Sequence, residues 1–213
     1  MKRVISLLLP LAAALLLAAC SSDTSLSSPD GRYELRFALD ARGGMSYTLL
    51  ADGEELLLPS ALGFESREAV LDSGFRIRGV ERRTIDEQWS QPWGENKQMR
   101  NHCNEMAVRL SNDAGTRLTM RFRLFDDGVG YEYEVPDADS LTITDERTEF
   151  RFAADGDSWT IPANFETYEL LYRHLPLSEL TDANTPATFH VGRHYGSIHE
   201  AALYDFPEMT LLR

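Results

Sequence analysis

The sequence predicts an all-β fold, an antiparallel β-sandwich. Apolar residues recur with period two in successive short runs. Turn signals separate those runs about every 8–12 residues. No long stretch carries a helical period.

The first run is the clearest in outline. Tyr33, Leu35, Phe37 and Leu39 alternate with Arg32, Glu34, Arg36 and Asp40, the pattern of a half-buried strand. Asp30-Gly31 turns the chain before it, and Arg42-Gly43-Gly44 after it. Met45, Tyr47 and Leu49 carry the next strand, closed by Asp52-Gly53, and Leu56-Leu57-Leu58 and Pro59 follow. Phe75 and Ile77 give a weaker strand. Met106, Val108 and Leu110 alternate again, and Asn112-Asp113-Ala114-Gly115 is a turn. Leu118, Met120, Phe122 and Leu124 make the strongest strand signal. Later apolar pairs are Leu141 and Ile143, Phe150 and Phe152, and Trp159 and Ile161.

One hairpin can be given a register. With Asp126 to Val129 as a four-residue loop, Leu124 faces Tyr131 and Phe122 faces Tyr133. On the other face Arg123 meets Glu132 and Arg121 meets Glu134, so both faces are satisfied at once. Glu132 and Glu134 are therefore expected to be structural rather than an acid–base pair. Asp126-Asp127-Gly128 lacks the alternating ligands and closing Glu of a calcium loop.

Composition narrows the function. A chain of 213 residues has no room for a barrel enzyme with an accessory domain, since an (β/α)₈ barrel alone takes roughly 250. With 43% hydrophobic and 26% charged residues the chain is globular. A formal net charge of −13 repels phosphates and argues against nucleic acid as the main partner. It also opposes binding to an anionic membrane surface by charge alone, but leaves neutral sugars, cations or a lipid anchor open.

The N-terminus reads as a leader. Lys2 and Arg3 precede an apolar run from Val4 to Ala19, the pattern of a secretory signal. Leu17-Ala18-Ala19-Cys20 resembles a bacterial lipobox, which places cleavage before Cys20 and lipidation on its thiol. Residues 1–19 are then a lipoprotein signal peptide, and residues 20–28 a flexible polar tether. Residues 29–213 form the folded domain, and the location is a bacterial envelope, periplasmic or outer-membrane. With Cys20 acylated, Cys103 has no disulfide partner and is read as a small, partly buried residue.

Two constellations stand out for chemistry. Trp89, Trp93 and Glu95, followed by Asn101, Asn104 and Glu105, gather aromatics and amides without a clean period. Indoles stack on sugar rings and amides bond hydroxyls, so this is a possible substrate-side loop. The alternative is a Trp-anchored loop packed over one end of the sandwich. His190 and His194 have the i, i+4 spacing of a helical metal site, near His199 and Glu200. Gly192 and Gly196 speak against a helix there. No nucleophile elbow, phosphate loop or dinucleotide fingerprint is present.

Six segments in order resemble the N-terminal domain of glycoside hydrolase family 97. They are SPDGRYEL, QPWGE, NHCNEMAV, FRLFDDGVGYEYEVP, WTIPANFETYE and SIHEAALYDFPEM. The resemblance implies a large β-sandwich that precedes a catalytic (β/α)₈ barrel and a small C-terminal β domain. Complete members hydrolyse α-linked glucosides or galactosides with paired carboxylates. It further implies that Glu200, in SIHEAAL, donates one ligand to a calcium ion whose other ligands lie on the barrel. The chain stops at Arg213, before any barrel strand and with the sandwich incomplete. No residue here matches a catalytic acid, base or nucleophile. A truncated frame, a split-gene half and a fragment all remain open. So does a stand-alone carbohydrate-binding envelope lipoprotein. An unrelated structural lipoprotein would require the matches to be accidental.

Overall fold

The computed structural model describes residues 23–204 and 206–213. The signal peptide and Cys20 lie outside the described residues. No α-helix occurs among the described residues.

The first sheet has four antiparallel strands in the order β1 (Ser25–Ser27), β2 (Tyr33–Leu39), β3 (Met45–Ala51) and β4 (Glu54–Leu62). The short β5 (Phe64–Ser66) and β6 (Val70–Leu71) follow. The second sheet uses β7 (Arg76–Ser90), β8 (Gln98–Ser111), β9 (Arg117–Leu124) and β10 (Val129–Glu134), in consecutive antiparallel order. β9 explains how the core forms. Leu118, Met120, Phe122 and Leu124 are buried, while Thr119, Arg121 and Arg123 between them point outward. Leu35, Phe37, Tyr47 and Leu57 from the first sheet join Met106, Val108 and these β9 residues in one apolar cluster. Phe37 and Phe122 meet across it with ring centroids 5.7 Å apart. Burying each such side chain contributes about 1.5–3 kcal/mol.

The tether expectation is corrected over its second half. Ser25–Ser27 is a strand paired with β2, and Leu26 is buried. The one apolar side chain in that polar stretch enters the core. The Arg82 guanidinium on β7 holds it there by donating to the carbonyls of Asp23 and Ser25.

The hairpin register is also corrected. Val129 faces Leu124, Tyr131 faces Phe122 and Glu132 faces Arg121. The expected pairing was offset by two residues, which leaves every side chain on the same face. Alternation therefore cannot tell the two registers apart, and the turn decides. Asp126 and Asp127 form its centre, with the Phe125 N–H donating to the Gly128 carbonyl at 2.9 Å. Glu132 and Glu134 are structural, as expected: Arg121 lies 3.1 Å from the first and 2.6 Å from the second.

Phe75 is buried at a close crossing, where Gly43 has φ +74 and a Cβ there would lie 2.4 Å from the Phe75 nitrogen. The weak strand expected at Phe75 and Ile77 starts at Arg76 and is 15 residues long. Its outer half is wet on both faces, so no period two marks it.

After β11 (Ile143–Glu146), residues 147–153 run along β4 without being a regular strand, joined by the Leu57–Phe152 bridge. A further sheet runs β13 (Arg173–Pro176), β12 (Asp157–Thr160), β15 (Ala187–Val191), β16 (His194–Ile198) in spatial order. β14 (Asp182–Asn184) pairs with β17 (Thr210–Leu212). Phe189 packs on Phe152 at 4.6 Å and Val191 joins the main cluster, so this part is continuous with the core.

Candidate functional site

The Trp-rich segment is the end of a projecting arm. β8 pairs with β9 only from Asn104 to Ser111. From Gln98 to Cys103 its ladder partner is β7 alone. The arm is stiffened by polar pairs rather than burial. Arg100 donates to both Asp86 oxygens at 2.7 and 2.8 Å, Ser90 to Gln98 at 3.1 Å, and Asn101 to Glu87 at 3.3 Å. At the tip the Gln91 N–H donates to the Lys97 carbonyl and its side-chain amide to the Asn96 carbonyl, both at 3.0 Å. Gly94 turns the chain with φ +102. Trp89 opposes Met99 and is 48% exposed, whereas Trp93 at the tip is 82% exposed. Glu95 beside it is exposed too. Neither indole anchors a loop over the end of the core.

Asn104 and Glu105 lie in the sheet, not in that loop. Asn104 accepts from Thr84 at 2.8 Å and donates to the Ser27 carbonyl at 2.9 Å. Glu105 is only 2% exposed. It accepts from Arg83, Arg121 and Arg123 at 2.7–2.8 Å. Burial pushes its carboxyl up, but the three guanidiniums overcome that and hold it down at about 2. Its oxygens are engaged within the chain. Glu105 is thus a structural anion beneath an open depression of about 460 Å³. Cys103 is buried and free, and burial raises its thiol pKa.

Glu200 follows β16. One carboxylate oxygen accepts from the Thr185 hydroxyl and the other from the Met209 N–H. No group of three or more His, Cys, Asp or Glu is placed to hold a metal among the described residues. Both Glu200 oxygens thus accept hydrogen bonds within the chain, and a lone carboxylate suits calcium only as part of a larger donor set.

The histidines are dispersed by the β15–β16 hairpin. His190 pairs with Tyr195 and His194 with Val191, so the two imidazoles lie on opposite sheet faces. Gly192 at φ +60 makes the turn between them. Instead, His190 and His174 flank Asp157 at 3.9 and 3.0 Å. His190 stacks on Tyr195, with centroids 4.0 Å apart, and His174 on Trp159 at 4.9 Å. Sequence reasoning missed this ladder because it joins four strands whose pairing no local pattern encodes.

Most of the large exposed apolar side chains fall between Phe165 and Leu212. Phe165 and Leu171 are each 91% exposed and Tyr204 is 83%. Leu203, Tyr204 and Phe206 follow Glu200 in the sequence after Ala201 and Ala202.

A family model described as glycosyl-hydrolase 97 N-terminal matches residues 26–213. A probable retaining alpha-galactosidase of Streptomyces bingchenggensis is 31% identical over 144 residues, 66% of this chain and 22% of that protein. A retaining alpha-galactosidase of Bacteroides thetaiotaomicron is 26% identical over 156 residues, 73% of this chain and 22% of that protein. A glycoside hydrolase family 97 enzyme of Pseudoalteromonas sp. strain K8, solved with panose, aligns with a TM-score of 0.81 and 34% identity. The alignment covers 89% of this chain and 30% of that one. The chain thus spans less than a third of the length of these proteins.

Proposed function

The chain belongs to the glycosyl-hydrolase 97 N-terminal family, and from that premise we propose that it is the non-catalytic N-terminal domain of a calcium-dependent α-glucosidase or α-galactosidase. In this reading it supports a catalytic barrel and donates Glu200 to a calcium site shared with it. The observation that carries the reading is the family match over residues 26–213 in a chain that spans under a third of its relatives, and the exposed apolar side chains between Phe165 and Leu212 support it. Side chains such as Phe165 and Leu171, each 91% exposed, are of the kind that a partner protein surface covers. The Glu200 carboxylate is already oriented by Thr185 and Met209, as a ligand in a composite site should be. Bound calcium would stabilise charge near the leaving oxygen. The substrates of the whole protein are proposed to be α-linked glucosides or galactosides, after the panose complex and the galactosidases just described.

Attachment to a bacterial envelope through lipid on Cys20 belongs to the same proposal and rests on the leader and lipobox pattern alone. No helix among the described residues is long and apolar enough to cross a membrane.

The test has two arms. The chain alone, with calcium, is expected to leave p-nitrophenyl α-glucoside and α-galactoside uncleaved. Joined to the barrel of the Bacteroides thetaiotaomicron relative, it is expected to restore calcium-dependent turnover. Sustained turnover by the chain alone, abolished by a point substitution within it, would overturn the reading. The second reading, a stand-alone carbohydrate-binding lipoprotein, is favoured by one observation, the exposed Trp93 ring. A chimera that stays inactive while the chain binds sugar by itself would favour it.

A further inference from the structure

We propose that the β7–β8 arm is a sugar-contacting element, with the Trp93 indole as a stacking platform for one neutral pyranosyl residue of an α-linked oligosaccharide. Only the choice of α-linked sugars rests on the function proposed above.

The three indoles of the described residues differ in what covers them. Trp159 lies with its ring parallel to His174, 4.9 Å away, and to Tyr195 at 6.4 Å. The Trp159 ring is thus engaged by neighbouring rings. Trp89 opposes Met99 across the arm. Trp93 has no aromatic partner among the described residues and is 82% exposed.

Nor does the fold require Trp93. The tip is closed by the main-chain bond from Gln91 to Lys97, by the Gln91 amide on the Asn96 carbonyl, and by the left-handed Gly94. An isolated two-stranded ribbon is marginal in water. This one is rooted in the sheet and braced by the Asp86–Arg100, Glu87–Asn101 and Ser90–Gln98 pairs. Six paired residues per strand carry the tip roughly 20 Å beyond β9, at about 3.3 Å per residue. The indole is therefore held out from the body of the domain on a scaffold ordered before any ligand arrives, which lowers the ordering cost of binding.

The chemistry around the ring selects the ligand class. Glu95 and Lys97 flank the tip with opposite charges, so it favours neither an anion nor a cation. The Asn96 side-chain amide lies within the tip and can bond hydroxyls. A flat electron-rich face beside a planar amide matches the C–H face and hydroxyl rim of a neutral pyranose.

The experiment titrates the whole chain with maltotriose and with raffinose, read by calorimetry and indole fluorescence. Millimolar binding is expected, with at least about fivefold loss for Trp93→Ala and near-retention for Trp93→Phe, which keeps a ring. Thermal melts of both variants should match the parent. Absence of binding by the parent chain, or equal binding by Trp93→Ala, would overturn the inference. So would shielding of Trp93 from acrylamide by a joined barrel without sugar, which would make the arm a protein-docking element. None of these outcomes touches restored turnover of the chimera, which tests the domain assignment separately.

Discussion

Arg121 reaches Glu105 at 2.8 Å across neighbouring strands, and the same guanidinium lies 2.6 Å from Glu134. Glu105 is sealed from water by its own cations, and Arg83 and Arg123 complete the cover. The outer face of the second sheet is thus organised around one buried anion. A lone buried carboxylate would be very costly, and three charge-assisted bonds offset that cost.

Removing that anion leaves three guanidiniums facing one another. Glu105→Gln is expected to destabilise the chain by roughly 2 kcal/mol, less than a fully buried pair would show because Arg83 and Arg123 are half in water. Urea unfolding at neutral pH measures it. A change within error would mean that solvent already screens the network.

The same group gives a pH dependence. Its carboxyl is held at about 2 in the folded chain, against an ordinary value of 4.5. Between those values the unfolded chain binds the proton and the folded chain does not, so protons favour unfolding there. The contribution is complete above pH 4.5 and is lost as pH falls through about 2. The urea midpoint should therefore fall across this window, and Glu105→Gln should flatten that part of the profile.

How much of this was legible beforehand differs by element. β2 and β9 were readable because each has one dry and one wet face, which period two records directly. The outward Arg/Glu pairing of β9 and β10 was readable as well, but not its register, since a shift of two conserves every face. β7 was invisible beyond Ile77 because a register shift between Ile77 and Gly79 breaks the alternation and the arm farther on is wet on both sides. Nothing local announces that three arginines, one on β7 and two on β9, converge on Glu105. The His–Asp–His ladder depends on long-range pairing of β12 with β13 and β15.

The arm and the sheet should differ in local stability. Residues 98–103 pair with one neighbour, while residues 104–111 pair with two. Amide exchange at 98–103 and 85–90 should be at least about tenfold faster than at 104–111, reflecting local opening rather than global unfolding. Uniform protection along β8 would show that the arm is not an independent ribbon.

The exposed apolar side chains Phe165 and Leu171 should be dispensable for folding and needed for assembly. Phe165→Ser and Leu171→Ser remove side chains that are 91% exposed, so the melting temperature of the chain should hardly move. Solubility should rise. In the barrel chimera the same pair should lower turnover or its thermal midpoint. Equal behaviour of the chimera with and without the substitutions would place the docking face elsewhere.

Calcium binding should depend on context in the same way. Glu200 offers one carboxylate, and calcium takes six to eight oxygens. Waters alone around a single carboxylate do little to replace a hydration shell, so the chain by itself should bind calcium at millimolar levels or weaker. Glu200→Gln should then change that binding little. The neutral amide keeps an acceptor for Thr185 or Met209 but removes the charge. In the chimera the carboxylate would sit among other ligands in a site shielded from water, where each charge counts for more. There the same substitution should weaken calcium affinity by at least about tenfold, and turnover should become sensitive to mild chelation. Calorimetry on the chain, and kinetics with and without chelator on the chimera, separate the two cases. Micromolar calcium binding by the chain alone would mean that a complete site exists within it, and the shared-site proposal would fail.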